Sequence, residues 1–121
     1  IVVRYADVLL MLSELTEDAQ YMNQVRQRAG LGDIAYSKEN IIEERHREFM
    51  GEGIRYWDLL RQGVDYAADK IAGEWTVKSG GVDEQLIIDK AKFTATKGLC
   101  PIPDNQITAS GGVYTQNDGW L

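Results

Sequence analysis

The feature that most constrains this chain is a joint too short to do anything but reverse it. Between Arg4 and Leu15, residues Ala6, Leu9, Leu10, Met11 and Leu12 form a wide apolar stripe. Alternation is absent and good helix formers dominate, so the spacing predicts a helix rather than a strand. A second helix follows almost at once, with Ala19, Met22, Val25, Arg26 and Ala29 at three- and four-residue steps. Thr16 reads as its N-cap, with Glu17 and Asp18 in the first turn, where the helix dipole favours anions. Gly30 supplies the left-handed position that stops it. With only Leu15 to Asp18 between them, the two helices must fold back as an αα-hairpin.

Further along, Leu31 to Tyr36 reads as a connecting loop and Ser37 as the cap of a third helix, with Ile41, Ile42, Arg45 and Phe49 facing inward. Gly51 and Gly53 interrupt the pattern. A fourth helix is predicted from about Ile54 to Gln62, burying Trp57, Leu60 and Tyr56 and ending at Gly63. Ala67, Ala68 and Ile71 mark a further helical piece over Val64 to Ala72. Residues 1–72 thus read as helical hairpins, and residues 73–121 as a loop-rich segment. In the latter, Trp75, Val77 and Leu86 to Ile88, set around Ser79-Gly80-Gly81, suggest irregular chain or a short hairpin. Phe93 to Thr96 reads as one more short strand, and Pro101-Ile102-Pro103 forces an extended path. Asp104 is expected to cap a single turn through Ile107. The expectation is one unit over 1–121, mainly α with at most short strands. Two hairpins are too few to establish a solenoid.

Composition narrows the function. Of 121 residues, 44% are hydrophobic and 26% charged, enough for a modest core and no argument for disorder. A net charge of -6 disfavours nucleic acid and anionic membrane, both of which need a concentrated Lys/Arg face. The longest apolar run, Val8 to Leu12, is far short of the roughly 20 residues that span a bilayer. Cys100 is the sole cysteine, so no intrachain disulfide forms, and it reads as a buried or semi-buried thiol. The sequence opens at Ile1 already inside an amphipathic pattern, which suggests a fragment whose signal or lipid anchor lies upstream.

The densest chemistry is the run Glu43-Glu44-Arg45-His46-Arg47-Glu48-Phe49, continued by Glu52, Arg55, Asp58 and Arg61. Glu44 and Glu48 share a helical face and could serve as an acid and base pair. Each acid, however, has an arginine three or four residues away: Glu44 with Arg47, Glu48 with Arg45, Asp58 with Arg55 and Arg61. Arginine lowers a neighbouring carboxylate pKa, the opposite of what a general acid needs. The cluster therefore reads as a device for packing helices, and no catalytic residue is assigned. His46, the only histidine, sits among charges on the outer side of its helix. With Cys100 far off, no metal-ligand spacing appears and no cofactor is implied. Gly51-Glu52-Gly53 lacks the preceding strand of a phosphate loop. Sugars are held by flat aromatic faces and hydrogen bonds at the rim, and Trp75 and Tyr36, in or near loops, are the rings assigned to ligand contact.

The string Glu44-Arg45-His46-Arg47-Glu48-Phe49-Met50-Gly51-Glu52-Gly53-Ile54-Arg55-Tyr56-Trp57-Asp58-Leu59-Leu60-Arg61-Gln62-Gly63 resembles the signature of the SusD/RagB family, E-R-x-x-E-F-x-x-E-G-x-R-Y-x-D-L-x-R-x-G. Arg4-Tyr5-Ala6-Asp7-Val8-Leu9-Leu10 is similar to the family's R-Y-A-E-V-L-L. Asn23-Gln24-Val25-Arg26-Gln27-Arg28-Ala29-Gly30 is similar to its N-x-V-R-x-R-A-G. Pro101-Ile102-Pro103 and Gln116-Asn117-Asp118-Gly119-Trp120 resemble its closing P-I-P and Q-N-P-G-[YW] elements, with Asp118 at the proline position.

The resemblance implies tetratricopeptide-like hairpins of the α-α superhelix type, in the C-terminal portion of a surface-exposed outer-membrane lipoprotein of Bacteroidetes-type bacteria. Such proteins capture glycans without catalysis and lie over a SusC-type TonB-dependent transporter. The glycan would be bound mainly by the region upstream of this sequence. In that setting Arg45, Glu48, Glu52, Arg55, Asp58 and Arg61 would form a polar network joining the third and fourth helices, with Gly53 permitting their close approach. Two other readings stand beside it: a free-standing helical-repeat protein-protein interaction module, and a glycoside hydrolase using Glu44 and Glu48.

Overall fold

The structure is a computed structural model and describes residues 3–120. It is mainly α, with helices α1 (Tyr5–Thr16), α2 (Ala19–Arg28), α3 (Lys38–Glu48), α4 (Arg55–Leu60) and α5 (Val64–Ile71) in sequence. Strands β1 (Gly73–Ser79) and β2 (Val82–Ile88) follow, then α6 (Lys90–Ala95) and α7 (Asp104–Ala109). The chain falls into two compact units, one ending at Asp58 and the other beginning at Leu59. The division lies inside α4, not where the sequence changes character near residue 73.

In the first unit, α1 packs on both α2 and α3. Leu10, Met22 and Ile41 are wholly buried; Ala6, Leu9, Val25 and Phe49 close the core around them, and Tyr36 and Ile54 pack at its margin. Each large apolar side chain removed from water contributes about 1.5–3 kcal/mol before entropy is counted. The stripe on α1 is narrower than its composition suggests. Met11 stays 41% exposed, because residues 6, 9, 10 and 13 already fill the inward arc.

The joint reverses the chain, but by other residues than expected. Thr16 is the last residue of α1, not a cap, and its hydroxyl donates back to the Leu12 carbonyl at 2.7 Å. Glu17 takes the left-handed conformation (φ 54°), and Asp18 caps α2 by accepting from the Gln20 N–H at 2.9 Å. The carboxylate prevails because it is the stronger acceptor and stands one residue outside the first turn. At the other end of α2 the Leu31 N–H reaches the Arg26 carbonyl and the Gly30 N–H that of Gln27, with Gly30 at φ 74°. This is a Schellman stop, which needs a left-handed residue where Gly30 stands. Ser37 caps α3 as expected, accepting from the Asn40 N–H at 3.0 Å.

The fourth helix corrects a second expectation. It buries Asp58 and Leu59, whereas Trp57 is 65% exposed and Tyr56 and Leu60 are half-buried. Each helical residue advances about 100°. Turning Asp58 inward to meet an arginine therefore carries Trp57 towards solvent.

In the second unit, α5 buries Ala67 and Ala68 and packs on α6, where Lys90 pairs with Asp69. β1 and β2 form an antiparallel hairpin in register from Gly73↔Ile88 to Ser79↔Val82. Gly80 (φ 57°) and Gly81 (φ 87°) make the two-residue turn, whose two left-handed residues match the twist of the flanking strands. Phe93 to Thr96 is not a strand: Asp89 accepts from the Lys92 N–H and starts α6, which buries Phe93, with Thr96 buried at its C-cap. Nor does Asp104 cap a single turn; Pro103 takes the cap position and α7 runs on to Ala109.

Candidate functional site

The family-like string of the first unit lies along α3, the turn after it and the start of α4, and α3 is its spine. A helix that places Glu44, Arg45 and Glu48 on adjoining faces can reach two neighbours at once. Arg45 is the centre. Its side chain is only 7% exposed; Nε donates to Asp58 Oδ2 at 2.8 Å and Nη1 to Asp7 Oδ1 at 2.7 Å. One guanidinium thus ties α3 to α4 and to α1.

Glu48 is shared in the same manner. Oε1 accepts from Arg4 Nη1 at 2.9 Å and Oε2 from Arg28 Nη2 at 2.5 Å, while Arg4 also donates to the Glu48 carbonyl at 3.0 Å. Arg4 pairs with Glu52 as well, at 2.7 Å. The Glu48 carboxylate holds the Arg4 guanidinium above its ordinary pKa, Glu52 adding to the effect and desolvation opposing it. Glu44, nearly buried, accepts from Arg26 at 2.7 Å and from Arg47 at 3.4 Å. Arg55 donates to the Ile42 carbonyl at 3.1 Å and to Glu43 at 3.2 Å. The guanidinium carbons of Arg4 and Arg45 lie 4.8 and 5.1 Å from the Phe49 ring centroid, within cation–π range.

These pairings depart from those anticipated along the helix. Glu44–Arg47 forms, but Glu48 turns to Arg4 and Arg28 instead of Arg45, and Arg55 turns to Glu43 instead of Asp58. Arg61 falls in the second unit. Gly53 admits no close neighbour: a Cβ there would meet nothing within 4 Å, and what it supplies is a left-handed turn at φ 76°. The sequence reading missed Asp7, Arg4, Arg26, Arg28 and Glu43, all but the last of which lie in the flanking motifs. Asn23 of the second motif belongs here too. Its amide makes two reciprocal bonds to the Ile34 backbone, both 3.1 Å, fixing the loop before α3.

The closing motifs meet in the second unit. Gln116 Oε1 accepts from the Ile102 N–H at 2.7 Å and its Nε2 donates to the Ile102 carbonyl at 2.9 Å. Asn117 Nδ2 donates to the Cys100 carbonyl at 2.7 Å, and Trp120 Nε1 to that of Leu99 at 2.8 Å. Asp118, at the proline position, pairs with Lys97 at 2.7 Å; each holds the other in its charged form, Asp118 pulled below and Lys97 pushed above its usual pKa. Cys100, expected to be buried or semi-buried, is exposed: the extended segment is anchored through its carbonyl, which leaves the thiol outside.

The two rings assigned to ligand lie in different units. Tyr36 is half-buried against the core with its hydroxyl 3.5 Å from the Glu14 carbonyl. Desolvation, then the charges of Glu17 and Glu14, push its phenol above the ordinary pKa. Trp75 is 41% exposed on β1 and covers Gly73, where a Cβ would come within 3.0 Å of the ring. His46 is half exposed, 3.7 Å from Glu43. Among the described residues no three His, Cys, Asp or Glu gather as metal ligands, and no helix is long and apolar enough to cross a membrane.

Residues 1–120 match the sequence model of the SusD family. The chain belongs to that family. Its members bind nutrients and glycans in association with the outer membrane, are in general not catalytic, and work with outer-membrane transporters. No curated protein and no solved structure matched the chain.

Proposed function

We propose that this chain is the scaffold of a non-catalytic glycan-capture lipoprotein, facing a SusC-type TonB-dependent transporter and holding its ligand mainly through a region upstream of this sequence. One observation carries the reading: Asp7, Glu44, Glu48 and Asp58 each accept from an arginine at 2.9 Å or less. A carboxylate so engaged is a brace between helices, its oxygens taken up by guanidinium donors of neighbouring elements. Any ligand contact within this chain is assigned to Trp75 and Tyr36, with Trp75 the more open face.

A glycan array probed with the full-length protein beside this chain tests the reading. Binding by the former and little by the latter is expected. Strong binding by this chain alone would move the ligand site onto it, to the surroundings of Trp75 or Tyr36. A second reading, a helical-repeat interaction module, draws on the outer face of α1, where Tyr5, Val8, Met11 and Leu15 are exposed. Glycan binding by neither protein would favour it.

A further inference from the structure

The β-hairpin has an edge built to meet its own image. β1 bonds only to β2, and among the described residues no backbone hydrogen bond reaches its other side. The register brings Ser79 opposite Val82 across a two-residue turn. In such a hairpin that closing pair exchanges both its hydrogen bonds, and bonded and non-bonded pairs then alternate. Glu74, Thr76 and Lys78 therefore direct their N–H and C=O groups away from β2. An open row of this kind is a template for another strand.

The side chains say which strand. If a second β1 runs antiparallel about a two-fold axis at Thr76, all seven residues overlap, and the residues with outward backbone groups are those that pair. Glu74 then stands opposite Lys78 of the second copy, and Lys78 opposite its Glu74. Among the described residues Glu74 has no ion-pair partner, and Lys78 reaches Asp83 only at 3.9 Å with its side chain 78% exposed. On the other face Trp75 meets Val77, twice over. Trp75, Val77, Val82 and Leu86, all exposed on one side of the hairpin, would share one face of the joined sheet with those of the copy, Glu84 standing among them opposite Val77. The edge of β2 offers no such match, since the equivalent axis at Gln85 opposes Asp83 to Ile87.

We propose that β1 pairs edge to edge with β1 of a second copy of this chain, about a two-fold axis at Thr76, to make a four-stranded antiparallel sheet. The interface is isologous, each copy giving the same strand in the same register. Opposite charges directly across a ladder stabilise it and like charges destabilise it.

Sedimentation velocity over a concentration series from micromolar to millimolar, at low salt, tests this. The unaltered chain is expected to dimerise. Lys78→Glu and Glu74→Lys should each weaken self-association about tenfold or more, by setting like charges opposite twice. An equimolar mixture of those two variants should associate again as a heterodimer, an outcome that misfolding could not mimic. Thr76→Pro should abolish the dimer while amide protection across β1 and β2 survives, because only an outward N–H is removed. A chain monomeric throughout, a dimer indifferent to these changes, or a mixture that fails to associate would overturn the proposal.

Discussion

Gln116 satisfies both polar groups of the Ile102 peptide, accepting from its N–H and donating to its carbonyl. A side-chain amide thereby acts as the neighbouring strand that Ile102 lacks, between two prolines that rule out an ordinary ladder. Gln116→Ala should cost about 2 kcal/mol, two hydrogen bonds at about 1 kcal/mol each. Denaturant unfolding measures that loss, and faster exchange of the Ile102 amide locates it. An unchanged exchange rate would mean that the bonds contribute nothing.

Arg45 and Arg55 make a contrasted pair. Arg45 is 7% exposed between Asp7 and Asp58, so Arg45→Ala should cost about 3–5 kcal/mol, as expected when a buried ion pair loses one partner. Arg55, 27% exposed, pairs with a Glu43 that is 33% exposed, and Arg55→Ala should cost about 1 kcal/mol. Thermal unfolding of both variants checks the order. Equal losses would show that burial does not set the difference.

Glu17 holds a left-handed conformation that an L side chain adopts only at a cost. Glu17→Gly should raise stability by about 0.5–1 kcal/mol, the relief of that strain less the added entropy of the unfolded glycine. A fall in melting temperature would show that the Glu17 side chain does more than mark the joint.

Gly119 is the converse. At φ 78°, a Cβ there would lie 2.8 Å from the backbone carbon and oxygen of Ala95. Neither the last turn of α6 nor the closing motif can yield without giving up the bonds of Asn117 and Trp120. Gly119→Ala should therefore lower the melting temperature and free the Trp120 indole N–H, seen as loss of its protection in exchange experiments. Full protection in the variant would mean that the close approach relaxes at little cost.

Tyr36 should titrate above the usual tyrosine range, because burial and the charges of Glu17 and Glu14 disfavour the phenolate. A folded-state pKa above the unfolded one gives stability that is complete below the unfolded pKa near 10 and is lost as pH rises through the folded value. Tyr36→Phe should flatten that alkaline loss, measured as stability against pH. A phenol titrating with fully exposed tyrosines would refute the assignment.

The first three helices were legible because a repeated apolar spacing has only one way to bury itself, although Met11 and Ala29 of the expected stripes lie exposed. Ile41, Ile42 and Arg45 of α3 and Phe49 at its C-cap are buried as the spacing required. The β-hairpin was legible only as one of two alternatives, irregular chain being the other; the structure puts the paired glycines Gly80 and Gly81 at its two left-handed turn positions. Partner choice was not legible. Spacing puts Arg45 within reach of Glu48, but which arginine a carboxylate takes is decided by helices distant in sequence, here through Arg4 and Arg28. Short elements were equally opaque: the single cap at Asp89 makes α6 helical despite Thr94 and Thr96. Trp57 misled for a related reason, because turning Asp58 towards Arg45 outweighed the apolar surface of the indole.

Glu48 touches residues that precede α1 and that end α2, while itself riding on α3. A carboxylate with two fixed clients works like the pin of a combination lock. Inserting or deleting one residue within α2 would swing Arg28 by about 100° away from it. Lineages of this protein should thus vary freely in side chains on the outer surface, yet keep the spacing from Arg4 through Arg28 to Glu48 nearly constant, with length changes confined to loops that can absorb them.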